Sequence, residues 1–300
     1  LLGPHLTKVE SMTGMFMGAE SFNGKLDGWE LSSATDLSNV FTRATSFNQD
    51  LSSWGAHLTK VERMHGIFGG AKRFNQDLSS WGARLTKVER MDRMFAGAER
   101  FNQDLSSWGA HLRNVKTMSG MFEGAASFNG KLDGWELSSA TDLRDMFQGA
   151  KSFNQDLSSW GAHLTKVESM MGMFMSAESF NGKLDGWELS SATHLDNVFT
   201  EATSFNQDLS SWGAHLRKVK TMSGMFEGAA SFNGKLDGWE LSSATDLRAM
   251  FQGAKSFNQD LSSWGAHLTE VERMDHMFAG AARFNQGLRI IAATSFNQDL

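Results

Sequence analysis

The chain has 300 residues, with 28 Lys and Arg against 34 Asp and Glu, a formal charge of −6, no cysteine and one proline. Both signs of charge run through its whole length, so there is no basic stripe to neutralise phosphates and no polybasic segment to meet an anionic membrane; nucleic acid is not an expected partner. Disulfides and thiolate metal sites are excluded, and no run of 18 apolar residues reads as a bilayer span, so no membrane insertion is expected.

At the N-terminus, Leu1-Leu2-Gly3-Pro4-His5-Leu6 has neither the charged nor the apolar region of a secretory leader. Gly3-Pro4-His5-Leu6 instead takes the place that Gly55-Ala56-His57-Leu58 holds in a repeat, and the chain stops inside another copy at Phe296-Asn297-Gln298-Asp299-Leu300. Both ends read as cuts inside a unit of a longer polypeptide. Between them a Phe-Asn pair returns at Phe22, Phe47, Phe74, Phe101, Phe128, Phe153, Phe180, Phe205, Phe232, Phe257 and Phe284, always after 25 or 27 residues. A period of this length marks a solenoid, one supersecondary unit stacked on copies of itself. The array divides into a partial first coil over 1–21, ten complete coils over 22–283, and an irregular shortened coil over 284–300, all one domain.

Within a unit the aromatic positions are invariant. Each of the ten Trp residues, from Trp29 to Trp264, follows the Phe of a pair by seven residues, and a second Phe precedes each pair by six, as Phe41 precedes Phe47. These rings are the expected core. Taking Phe47 to Lys72 as the type unit, the Asn-, Asp- and Ser-rich stretch Gln49 to Ser53 is predicted to be a short strand, paired in parallel with its equivalents. Leu58, Val61, Met64 and Phe68 then recur at helical spacing behind a Thr59-x-x-Glu62 capping box, which predicts a helix closed by Gly69-Gly70. In the 25-residue units the arc from Trp to the next Phe is two residues shorter, with Leu31, Ala34 and Leu37 in the places of Leu58, Val61 and Met64. The predicted fold class is an α/β repeat solenoid, with short parallel strands on one side, short helices on the other, and coils of 25 and 27 residues.

The string M-x-x-M-F-x-G-A-x-S-F-N-Q-D-L-S-S-W, as from its second Met in Met250 to Trp264 and, with Gly-Lys for Gln-Asp and Asp-Gly for Ser-Ser, in Met118 to Trp135, closely resembles the repeat of BspA-like bacterial surface proteins and lipoproteins, also abundant in some protists and algae. That family is grouped with the leucine-rich repeats. The resemblance covers essentially residues 6 to 286 and implies a leucine-rich-repeat-like solenoid, a cell-surface or extracellular location, and a role in adhesion or protein binding. It brings no catalytic residues. The GAHLTKVE arc departs from the family's shorter Asp-Val-Ser-Asn-Val-Thr-Asp segment, which favours a fuller outer helix.

A catalytic site needs unlike groups converging at one place, whereas nearly every polar residue here returns in register, so no enzyme and no cofactor are expected. His5, His57, His111, His163, His215 and His267 share one repeat position, with Arg84 taking it once. In alternate coils such side chains stand about 10 Å apart at the strand spacing, too far to share a metal. The Asn of each pair is expected to hydrogen-bond along the stack. Met15, Met64, Met94 and Met121 read as core. Paired serines, Ser52 and Ser53, Ser79 and Ser80, Ser106 and Ser107, Ser158 and Ser159, Ser210 and Ser211, Ser262 and Ser263, are the candidate surface rows, on or beside a flat sheet. No Asn-x-Ser/Thr sequon occurs.

Residues 115–168 and 219–272 differ only at Asp145 against Ala249 and Lys166 against Glu270, so whole blocks were copied. Copying of this kind suits a rod, a spacer or a filament. Uncapped terminal coils would expose apolar core, which points to end-to-end self-association or a protein partner. Two functions are expected from different classes. One is a non-enzymatic structural or adhesive surface array; the other is a recognition module whose Ser and Asn rows bind a glycan, a protein or ice.

Overall fold

The computed structural model describes residues 6–286, which form one continuous solenoid. Each coil contributes an eight-residue ladder segment, beginning 11–18, 36–43, 63–70 and ending 273–280. Its first residue makes a parallel β-bridge to the neighbouring coils: Ser11 to Asp36, Asp36 to Arg63, Arg63 to Arg90, then onward through Thr117, Asp142, Ser169, His194, Thr221 and Asp246 to Arg273.

Beyond the bridge, every second peptide carries the pairing. In 63–70 the N–H groups of Met64, Gly66, Phe68 and Gly70 donate to the carbonyls of Arg90, Asp92, Met94 and Ala96 in the next coil, at 3.0, 2.8, 2.9 and 2.6 Å. Ile67, Gly69 and Ala71 instead donate back three residues, to Met64, Gly66 and Phe68. This alternation needs left-handed residues at intervals of four, and Gly66 and Gly70 supply them with φ of 61° and 69°. The ladder segment is thus a run of overlapping turns bonded sideways.

The two predicted elements are therefore exchanged. The helix expected from Leu58 to Phe68 contains the parallel bridge at Arg63 and no helical turn in its second half. Its spacing did mark an inward side, since Leu58, Val61, Met64 and Phe68 are fully buried. Its backbone donors, however, serve the neighbouring coils. Thr59 lies near the end of a 3-10 helix rather than capping an α-helix, and the Glu62 N–H donates to the Thr35 carbonyl of the preceding coil at 2.9 Å.

Where a strand was expected, at Gln49 to Ser53, the chain enters a 3-10 helix. Among the described residues there are six such helices: η1 Ser52–Lys60, η2 Ser79–Lys87, η3 Ser106–His111, η4 Ser158–His163, η5 Ser210–His215 and η6 Ser262–Ala266. Each is opened by an aspartate; Asp50 Oδ1 accepts the Ser52 N–H at 2.8 Å, and Asp77, Asp104, Asp156, Asp208 and Asp260 do the same for their serines. All six lie in 27-residue coils. The 25-residue coils turn instead through Asp-Gly, as at Gly28 with φ 78°, and still deliver Leu31 to the buried place of Leu58. The two extra residues are thus the excursion of the 3-10 helix. Among the described residues there is no α-helix.

The core is three columns of rings. Within a coil the two Phe rings stack at 3.8 to 4.1 Å, as in Phe68 with Phe74 and Phe16 with Phe22. Between coils the first Phe column repeats at 5.4 to 5.7 Å, the second at 5.7 to 6.0 Å, and the Trp pairs that stack, from Trp29 to Trp81 and from Trp108 to Trp264, at 5.6 to 6.4 Å. From Trp54 to Trp264 each indole Nε1–H donates to a leucine carbonyl of the preceding coil, Trp81 to Leu51 at 3.0 Å for example. This satisfies the one polar atom that burial of Trp would otherwise strand. The asparagines form the expected ladder: Asn48 Oδ1 accepts the Asn75 N–H at 2.8 Å, and the same bond recurs from Asn23 to Asn285. These amides are half-buried or exposed rather than buried.

One expectation changes at the N-terminal end of the described region. Met15 does not hold a core place, being 51% exposed in the first coil, although Met64, Met94 and Met121 are fully buried. Most of the irregular coil over 284–300 lies outside the described residues.

Among the described residues nine non-glycines occupy left-handed positions, including Asn39, Asp145 and Asn197, whose side chains tolerate this conformation, and Ala249, whose side chain offers nothing in return. Replacing Ala249 (φ 51°) with glycine is expected to stabilise the array by about 1 kcal/mol. Urea unfolding would show a raised midpoint at unchanged slope; a lowered midpoint would contradict the strain argument.

Candidate functional site

The ladder segments present one continuous face. Because the alternating turns bury the residues between, the bridge residue and, in most coils, the residue two places on look outward, so a coil displays a pair such as Arg63 and His65, Arg90 and Asp92, or His194 and Asp196, whereas beside Asp36 the small Ser38 is fully buried. These pairs differ from coil to coil while the frame around them repeats. They are also bonded to one another. Arg63 Nε meets Asp36 Oδ2 at 3.0 Å, Arg90 Nε meets Asp92 Oδ2 at 3.1 Å, Arg144 Nη2 meets Asp142 Oδ2 at 2.7 Å, and Thr117 Oγ1 donates to Asp92 Oδ2 at 2.8 Å. Exposed pairs of this kind contribute about 0–1 kcal/mol each, so they set the pattern of the face more than its stability.

Burial raises the Asp36 carboxyl, but the hydroxyl and N–H of Ser38, together with Arg63, outweigh it and hold the group below the usual carboxylate value. Asp145 moves the other way: burial, then the neighbouring Glu123, pushes its carboxyl up. His65 shares its Nε2 with Asn39 Nδ2 at 3.2 Å, and its Nδ1 is buried without a hydrogen-bond partner. Among the described residues, no three of His, Asp and Glu converge in a way that would hold a metal ion. His57, His111, His163 and His215 instead close the last turns of 3-10 helices.

The candidate serines lie elsewhere than predicted. They open the 3-10 helices and do not stand on or beside a sheet. Ser80 and Ser107 donate their hydroxyls to the carbonyls of Ser52 and Ser79 at 2.9 and 3.0 Å, Ser79 Oγ donates to Asp77 at 3.0 Å, and Ser53 and Ser159 accept from Gly28 and Gly134 at 3.4 Å. Neighbouring coils bring together only Ser52, Ser53, Ser79, Ser80, Ser106 and Ser107. A groove of about 340 Å³ runs past Ser79, Ser106 and Ser107 there, beside Asp77 and Asp104. Ser158 with Ser159, Ser210 with Ser211, and Ser262 with Ser263 are each isolated by an intervening 25-residue coil.

Internal comparison of the copied stretches identifies the face that sequence reading missed. Residues 11–58 and 169–216 differ at five positions: Thr13 against Met171, Gly18 against Ser176, Asp36 against His194, Ser38 against Asp196, and Arg43 against Glu201. All five fall inside the eight-residue ladder segments, which supply only 16 of the 48 residues. Exposed residues off that face, including Glu20, Lys25, Asp27 and Asp50, have not changed. Of the two differences between 115–168 and 219–272, Asp145 against Ala249 is again in a ladder segment; Lys166 against Glu270 is not. Two signals could have found this face. One is this comparison; the other is the Gly-x-x-x-Gly spacing of Gly66 and Gly70 within the supposed helix.

A protein-family model described as "Mycoplasma protein of unknown function, DUF285" matches five overlapping stretches, 3–108, 55–160, 109–212, 162–264 and 213–299. No protein with a curated description matches the chain. Among solved structures, a TLR13–ssRNA13 complex is similar at 11% identity and a TM-score of 0.24, over 88% of this chain and 48% of that one. A Drosophila Toll–Spatzle complex is similar at 14% and 0.24, over 85% and 36%. A leucine-rich repeat protein of Bacteroides ovatus is similar at 11% and 0.19, over 89% and 78%. The chain spans about half or less of the first two proteins.

Proposed function

Since the chain belongs to this DUF285 family, whose description names no activity, we propose that it is a non-enzymatic interaction array that recognises protein partners through its ladder face. The concentration of change on that face carries the reading: all five differences between 11–58 and 169–216 fall there, whereas off it the copies part at Lys166 against Glu270 and, past Leu58, at Thr59 against Arg217 and Glu62 against Lys220. After duplication, packing restrains every residue that holds one coil on the next, but it does not restrain exposed residues such as Lys25 and Asp27. A surface that gathers most of the change in a copied stretch while exposed neighbours such as Lys25 and Asp27 stay constant is one whose side chains are put to separate uses. The resemblance of the repeat to BspA-like surface proteins supports a cell-surface or extracellular setting, in which the array would serve as an adhesive rod or filament-forming segment.

The second reading, recognition of a glycan, protein or ice through the serines, is favoured by the groove past Ser79, Ser106 and Ser107. One selection separates the two. A displayed random-peptide library would be panned on the native array, on a variant with Met171→Thr, His194→Asp and Asp196→Ser, and on a variant with Ser79→Ala, Ser106→Ala and Ser107→Ala. The first variant borrows residues that the same fold already holds in its other copy. It is expected to lose the peptides enriched on the native array by at least tenfold, while the serine variant retains them. The reverse pattern would overturn the ladder-face reading.

A further inference from the structure

Of the five differences between the copied stretches, two meet in one place. Ser176 and Glu201 close adjacent ladder segments at a left-handed position that is glycine in most coils, with φ of 56° and 58°. Ser176 Oγ donates to Glu201 Oε2 at 2.8 Å. Both residues line a groove of about 740 Å³ that runs across several coils, floored by Gly228 and Gly253 and bounded by Lys151 and Lys255.

The charge in this groove is asymmetric. Lys151 Nζ is paired with Glu178 Oε1 at 2.8 Å, which neutralises that end. Glu201 has the Ser176 hydroxyl as its partner and, among the described residues, makes no ion pair. Its Cγ lies 3.4 Å from the point where a side chain on Gly228 would begin, so the carboxylate stem rests against bare backbone of the next coil. The peptides of that floor are already spent: Glu201 N–H donates to Glu227, Gly228 to Gln252 and Gly253 to Ala279. An occupant therefore finds a shallow floor with no free backbone donors, one held carboxylate without an ion partner, and the Lys255 ammonium at the groove's edge. In the other copy the same place holds Gly18 and Arg43, with Arg43 also left-handed at φ 60°.

We propose that this groove docks an extended segment of a partner protein through a basic side chain seated on Glu201, and that Arg43 makes the equivalent place in the first copy reject the same segment. The assignment rests on the ladder face being the recognition surface. It names the chemistry of one subsite: an ammonium or guanidinium held by a carboxylate that Ser176 orients, over glycines that let the partner's backbone approach.

The probe is a fluorescent six-residue peptide of alternating lysine and serine, with a glutamate–serine peptide as its counterpart. Anisotropy would be read at an ionic strength of about 0.01 M, where charges act over about 30 Å. The native array is expected to bind the lysine peptide and not the glutamate peptide. Glu201→Arg should weaken lysine-peptide binding at least tenfold, and Ser176→Gly should weaken it less, by releasing the carboxylate. Because Arg43 already holds this conformation in the same fold, Glu201→Arg is expected to keep the native circular dichroism. Equal binding of the lysine peptide by native and Glu201→Arg arrays, or no binding at all, would overturn the proposal. If that happened while the Met171, His194 and Asp196 exchange still altered peptide selection, the general ladder-face reading would stand.

Discussion

A Trp160→Ala variant is expected to lose about 3–5 kcal/mol of stability and to unfold in two steps. Trp160 is fully buried; it stacks on Trp135 at 5.7 Å and on Trp187 at 6.3 Å, and tilts against Phe147 at 6.3 Å. Truncation opens a cavity that rigidly stacked coils cannot close, because each coil is held at its ladder and at two Phe columns. It also strands the Leu132 carbonyl, which accepts Trp160 Nε1–H at 3.1 Å. Trp160→Phe keeps a ring in the column but loses that bond and part of the indole's volume, so it should cost less than alanine, about 1–3 kcal/mol. In an array whose coils touch only their neighbours, weakening one middle coil uncouples the two halves. Guanidinium unfolding followed by circular dichroism is expected to give one transition for the native array and two for Trp160→Ala. A single Trp160→Ala transition at the native midpoint would show that the tryptophan column does not hold the stack together.

The second large effect is expected at Gly182. A methyl group placed there would lie 1.9 Å from the Gln155 carbonyl oxygen of the preceding coil, closer than any real side chain sits to a backbone atom. The same approach recurs at Gly130 against Gln103 and at Gly234 against Gln207, at 2.0 and 1.9 Å, each where a 25-residue coil follows a 27-residue one. The obstructing atom is backbone, so relief requires a coil to move. Gly182→Ala is therefore expected to cost about 3 kcal/mol, at the upper end for overpacking. Gly186→Ala serves as the contrast: its added methyl would meet open space, and the cost is only that of φ 70°, about 1 kcal/mol. Comparison of the two midpoints tests whether close coil approach, rather than backbone conformation, explains the Asn-Gly sequence of the shorter coils. Equal losses would favour conformation.

The Phe-Asn period, the ten tryptophans and the paired phenylalanines could be read directly because each is a core or stacking position repeated without exception. The asparagine ladder was legible for the same reason. The Ser-Ser pairs were legible as a pattern but misread in place, since Asp50 and its equivalents turn them into the starts of 3-10 helices. The largest misreading was of Leu58, Val61, Met64 and Phe68. Their spacing of three, three and four is that of a helical face, yet a run of overlapping turns points the same residues inward. The two backbones differ in where their N–H groups go, along the chain or to the next coil, and side-chain spacing does not report that.

What this sequence determined by itself was the unit, its two lengths, its aromatic core and the register of one coil on the next, because these follow from which large apolar side chains recur and how often. The tertiary structure decided which arc carries the parallel ladder and hence which side chains share a face. That assignment depends on parallel bridges between residues 25 or 27 positions apart, and on left-handed backbone at residues such as Gly66, Ser176 and Glu201. Both arise only once one coil lies on another.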